Sequence, residues 1–185
     1  MTSRKKILIT ICCLATILCT LITGTIAWLI DDTDPITNTF KPSNIAVELT
    51  EVSNTQDGKW EGKLIPGTEL SKEATVTVDN DIDCWVFVKA EASENLDDFV
   101  EWTIADGWLE LPGVDGVYYR EVKADADPKE FDVVKDNIVT VKAAVNKELM
   151  SQLTQPGDYP TLTFTAYAAQ QASLTVEAAW EAING

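Results

Sequence analysis

The chain has 185 residues, no histidine, and 30 acidic against 14 basic residues, for a formal net charge of −16. The missing histidine excludes Ser-His-Asp and Cys-His catalysis and the HExxH zinc site together, and the acidity disfavours nucleic acid and anionic membranes, which carry the same sign of charge. Of the 4 cysteines only Cys84 lies beyond residue 19, so the body of the chain has no disulfide available and depends on packing.

Arg4-Lys5-Lys6 precede an uncharged stretch, Ile7 to Ile30, that ends at Asp31-Asp32. About 20 apolar residues span a bilayer, and this stretch is long enough. Thr23-Gly24-Thr25 interrupts it after Ile22, however, which leaves an apolar region near the roughly 7 to 15 residues of a cleavable export signal. With Thr25 and Ala27 as the small-residue site, the pattern predicts a signal helix over residues 1–27, cleavage between Ala27 and Trp28, and an extracellular remainder. Retention as a single-pass anchor is the alternative, and the basic start holds the N-terminus inside in either case. Leu18 is too bulky to precede a lipidated cysteine, so Cys12, Cys13 and Cys19 read as apolar filler.

Cleavage leaves residues 28–185, enough for a single domain, with 11 basic and 30 acidic residues and a net charge of −19. Trp28, Leu29, Ile30, Ile36 and Phe40 make its first segment apolar, but Asp31 to Pro35 break it. We expect this segment to serve as a strand supplied to a neighbouring copy; pairing with its own sheet edge is the alternative.

Downstream, Ile45, Val47 and Leu49 alternate with Ala46, Glu48 and Thr50, and Val76 and Val78 alternate with Thr75 and Thr77, the period-2 signature of half-buried strands. Asp79-Asn80-Asp81 offers turn chemistry before a second alternation at Cys84, Val86, Val88 and Ala90, which predicts two antiparallel neighbours. Trp85 and Phe87 on the opposite face mark the later strand as central and covered on both sides along its first half. Apolar segments follow at Phe99 to Ile104, Trp108 to Leu111, Gly116 to Val122 and Ile138 to Ala144, with turn signals at Pro112-Gly113 and Asp115-Gly116. A helix is predicted over Lys147 to Leu153 with Asn146 as N-cap, then a strand over Thr161 to Gln170 and a terminal helix over Leu174 to Ile183. Seven to nine short strands with little helix predict an all-β sandwich.

The chemistry-bearing candidates are few. Cys84, on an inward strand face without a histidine beside it, reads as a core residue and not a reactive thiol. Asp79-Asn80-Asp81-Ile82-Asp83 resembles the start of a calcium loop, but Cys84 stands where the turn glycine belongs and Ala90 where a bidentate glutamate belongs. Asp31-Asp32-Thr33-Asp34 and Asp125-Ala126-Asp127 read as solvated acidic loops. No Asp-Thr-Gly or Asp-Ser-Gly marks an aspartic pair. No catalytic residue, metal or cofactor is expected. Trp102 and Trp108, with Trp60 beside them, are the candidates for an aromatic platform that stacks on a glycan.

Several motifs, in this order, resemble a known family. They are Lys5-Lys6, the apolar run, Gly24-Thr25-Ile26-Ala27-Trp28, Asn38-Thr39-Phe40 and Ile45 to Glu51, then Leu64-Ile65-Pro66-Gly67, Lys72 to Val76, Trp85 to Lys89, Ala166 to Gln170 and Ala179-Trp180. The chain resembles the TasA/camelysin family along nearly its whole length. The resemblance implies a jelly-roll-like β-sandwich exported by a Gram-positive bacterium and processed by a SipW-type signal peptidase. It further implies a biofilm-matrix or cell-surface fibre subunit, whose partners are other copies of itself and other matrix proteins. One branch of that family carries a metallopeptidase label, which the lack of histidine does not support.

Overall fold

A computed structural model describes residues 44–52, 54 and 60–184. The signal segment, Thr25, Ala27 and the expected donor residues Trp28, Leu29, Ile30, Ile36 and Phe40 lie outside the described residues.

Ten strands occur among the described residues: β1 (Ile45–Glu51), β2 (Glu69–Ser71), β3 (Ala74–Asn80), β4 (Cys84–Ala92), β5 (Val100–Glu101), β6 (Leu109–Glu110), β7 (Val117–Val122), β8 (Glu130–Asp132), β9 (Ile138–Val141) and β10 (Leu162–Gln170). They form three antiparallel sheets, ordered β1-β3-β8, β10-β4-β7-β6 and β2-β9-β5. Of strands consecutive in sequence, only β6 and β7 pair with each other; every other connection leads to a different sheet. The chain therefore crosses repeatedly between sheets around its core, and the fold is an all-β sandwich.

The alternating pattern becomes two opposed apolar faces. Ala74, Val76 and Val78 of β3 and Cys84, Val86 and Val88 of β4 are all buried in one cluster, which Phe99, Val133, Val134 and Val141 extend. The expectation that β3 and β4 are antiparallel neighbours is corrected here: β3 pairs with β1 and β8, while β4 pairs with β10 and β7. Residues 81–83 carry the chain from one sheet to the other, so the two strands bury their apolar faces in the same core from different sheets. The bend is held by Asn80, which is 5 % exposed and donates through its side-chain amide to the Ile82 carbonyl at 2.8 Å. Periodicity reports which face of a strand is buried, not which strand lies alongside it.

The expected central strand is found. β4 lies between β10 and β7, and its other face carries Phe87, fully buried, beside half-buried Trp85. Three α-helices are described: α1 (Leu96–Phe99), α2 (Lys147–Met150) and α3 (Val176–Asn184). Covering Phe87 is the role of α3, which packs Val176, Ala179 and Trp180 against Phe87, Leu111 and Val117 in a second cluster. The Trp180 ring lies 5.3 Å from Phe87 and 5.6 Å from Tyr167, the latter edge-on, an arrangement favoured by the ring quadrupoles. Asn146 caps α2 as expected, accepting from the Leu149 N–H at 3.0 Å, but the helix ends at Met150, short of Leu153.

Candidate functional site

The two tryptophans expected to bind glycans occupy different surroundings. Trp102 is half-buried, with its ring edge-on to Phe164 at 5.5 Å and to Tyr118 at 6.5 Å. Trp108 is only 6 % exposed and donates its indole N–H to the Asp132 carbonyl at 2.8 Å. The platform reading of Trp108 is corrected on that ground, since a buried ring anchored at its nitrogen offers no open face to a sugar. Trp60 is half-buried as well, donating to the Ser71 carbonyl at 2.7 Å with the Lys72 ammonium 4.9 Å above its ring.

What Trp108 does present is one wall of a cation site. Along β7, Val122, Arg120 and Tyr118 lie opposite Cys84, Val86 and Val88, so Arg120 occupies an inward position of the sandwich. Its guanidinium carbon sits 3.8 Å from the centre of the Phe131 ring and 5.0 Å from that of Trp108. Each such contact contributes about 0.5–2 kcal/mol, more as water is excluded. Among the described residues Arg120 makes no ion pair, and burial pushes its pKa below the ordinary value. It stays charged nonetheless, because the intrinsic pKa of guanidinium is so high.

The turn before Trp108 runs close to the end of this group. Gly107 has φ +89°, a left-handed conformation, and a side chain there would place its Cβ 2.6 Å from Arg120 Nη2. Glycine therefore meets a backbone demand here, and a side chain at this position would push the end of Arg120 aside. In front of the guanidinium opens a cleft of about 340 Å³. Half-buried Arg120 and Phe131 form its inner part, and Asp106, Glu130, Asp132, Asp136 and Lys135 surround it at exposed positions. Lys135 Nζ stands 3.6 Å from Asp106 Oδ1 across the rim.

Arg120 was not singled out in the sequence, although two signals pointed to it. It is the only arginine after Arg4, and it follows the inward phase Tyr118-Arg120-Val122 on a strand whose other phase carries Val117 and Tyr119.

The remaining candidates are structural. Cys84 is fully buried, and burial pushes its thiol up to about 11. Asp83 accepts from the Ala124 N–H at 3.0 Å and from Lys123 at 3.0 Å, which ties the inter-sheet connection to the end of β7. Asp79 and Asp81 both accept from Asn44, and so brace the start of β1. Among the described residues no three histidine, cysteine, aspartate or glutamate side chains converge on a point where a metal ion could be held. None of their helices is long and apolar enough to cross a membrane. Comparison of the chain with protein-family models, curated proteins and solved structures finds no match.

Proposed function

We propose that this chain is an exported structural protein, a subunit of a cell-surface or biofilm-matrix fibre that grows by β-strand addition after cleavage at Ala27. The observation that carries the reading is the set of outer strands. β1, β8, β10, β6, β2 and β5 each have a hydrogen-bonded neighbour on one side only among the described residues. Outer strands present backbone donors and acceptors that an added strand satisfies. Residues 28–40 precede β1 in the sequence, and the chain's order of motifs, similar to that of TasA/camelysin proteins, supports the same assignment. Head-to-tail addition does not close on itself, so it produces filaments. With a net charge of −19 on residues 28–185, subunits repel one another, and assembly is expected to quicken as salt shortens the screening length below about 10 Å.

The test is deletion of residues 28–40 with the cleavage site retained, followed by electron microscopy of the secreted product. Loss of filaments with an unchanged circular dichroism spectrum supports strand donation, and undiminished filaments refute it. Intact mass and N-terminal sequence of the secreted material check cleavage before Trp28 in the same preparation.

A further inference from the structure

We propose that the cleft at Arg120 is a binding site for a small amino-carboxylate, a molecule that places its carboxylate on the guanidinium and its ammonium group among the rim carboxylates. The volume of about 340 Å³ falls in the lower range of small-molecule sites.

The guanidinium supplies the first half. The Phe131 and Trp108 rings lie 3.8 and 5.0 Å from its central carbon, and its N–H donors form the planar fork that matches a carboxylate. No carboxylate among the described residues fills that role. The two rings pack on the guanidinium before any ligand arrives, which reduces the ordering cost of binding.

The rim supplies the second half and sets the charge type. A simple anion meets four carboxylates, at Asp106, Glu130, Asp132 and Asp136, against the two cations Arg120 and Lys135, and in a strongly acidic protein it is repelled. A simple cation is attracted by the rim but leaves the guanidinium unpaired. A ligand bearing both signs meets both demands without a net electrostatic cost.

The experiment follows Arg120 Nε–H and Trp108 indole N–H signals by NMR in the full 15N-labelled chain. Arg4→Lys removes the only other arginine signal. The probes are glycine, 4-aminobutyrate and 6-aminohexanoate, with acetate and ethylammonium as single-charge controls at matched ionic strength. We expect saturable shifts at Arg120 from at least one amino-carboxylate, with half-saturation at least about tenfold below that of either control. The Trp108 response is expected to vanish in Arg120→Met and to weaken in Arg120→Lys, which keeps the charge but loses the fork. Three results would each overturn the proposal: no saturable shift from any amino-carboxylate, acetate acting as well as the best of them, or a Trp108 response that survives in a folded Arg120→Met. The wild-type comparison with acetate decides the matter even where Arg120→Met does not fold.

Discussion

Replacing Glu51 with glutamine tests how the end of β1 is held. Lys72, between β2 and β3, has a side chain only 5 % exposed, and its ammonium meets the Glu51 carboxylate, itself 33 % exposed. The faces of Trp60 and Phe164 lie 4.9 and 5.5 Å from the same nitrogen. Removing one partner of a fully buried pair costs about 3–5 kcal/mol. Here Glu51 is partly solvated and two rings remain around the cation, so we expect Glu51→Gln to lose about 2 kcal/mol. Lys72→Met keeps the length of the side chain and leaves only a partly exposed carboxylate unpaired, for a loss of about 1 kcal/mol. The double variant leaves no orphaned charge and is expected at about 1 kcal/mol, well short of the additive 3 kcal/mol. The assay is urea unfolding followed by tryptophan fluorescence, with unchanged m-values as the check on two-state behaviour. The corresponding fall in Tm for Glu51→Gln is about 4–8 °C. A Glu51→Gln unfolding free energy within about 0.5 kcal/mol of wild type, or strict additivity in the double variant, would falsify the assignment of Lys72 as a cation dependent on Glu51.

Three further outcomes follow from the packing. Cys84, with its thiol raised to about 11 from an ordinary 9.0, should react with iodoacetamide at pH 8 at least about 100-fold more slowly in the native protein than in urea, read by peptide mapping; equal rates would contradict its burial. Phe87→Ala opens a cavity beneath Trp180 and should cost about 3–5 kcal/mol, measured by the same unfolding assay, whereas a loss below about 1 kcal/mol would mean that α3 does not seal this face. Asp83 is held below its ordinary 3.8 by the Ala124 N–H and by Lys123. A depressed folded pKa contributes stability above the unfolded value and loses it as pH falls through the folded value, so Asp83→Asn should be less stable than wild type at neutral pH. The gap should close on acidification; a gap that persists in acid would place the effect elsewhere.

Much of the fold was legible in the residues. The alternations at Ile45 to Leu49, Val76 to Val78 and Cys84 to Ala90 became β1, β3 and β4 with the expected faces inward. Trp85 and Phe87 correctly marked a strand covered on both sides, and Glu177 to Ala182 correctly marked a helix. The three-residue strands β2 and β8 escaped, because neither Glu69–Ser71 nor Glu130–Asp132 is long enough to show a period. The cleft was hardly legible at all. Arg120, Trp108, Phe131 and Gly107 are far apart in pattern terms: a charge on a strand, a tryptophan in an apolar run, a phenylalanine in a short acidic strand and a turn glycine.

The sequence by itself determined the charge, the absence of histidine chemistry, the period of each long strand and hence the β class, because these depend on composition and on neighbours a few residues apart. Only the tertiary structure decided that β3 and β4 belong to different sheets, that α3 covers Phe87, and that Trp108 packs over an arginine instead of facing a sugar. Those outcomes depend on which surfaces meet across the core, through contacts between residues distant in the chain, and no local pattern carries that information.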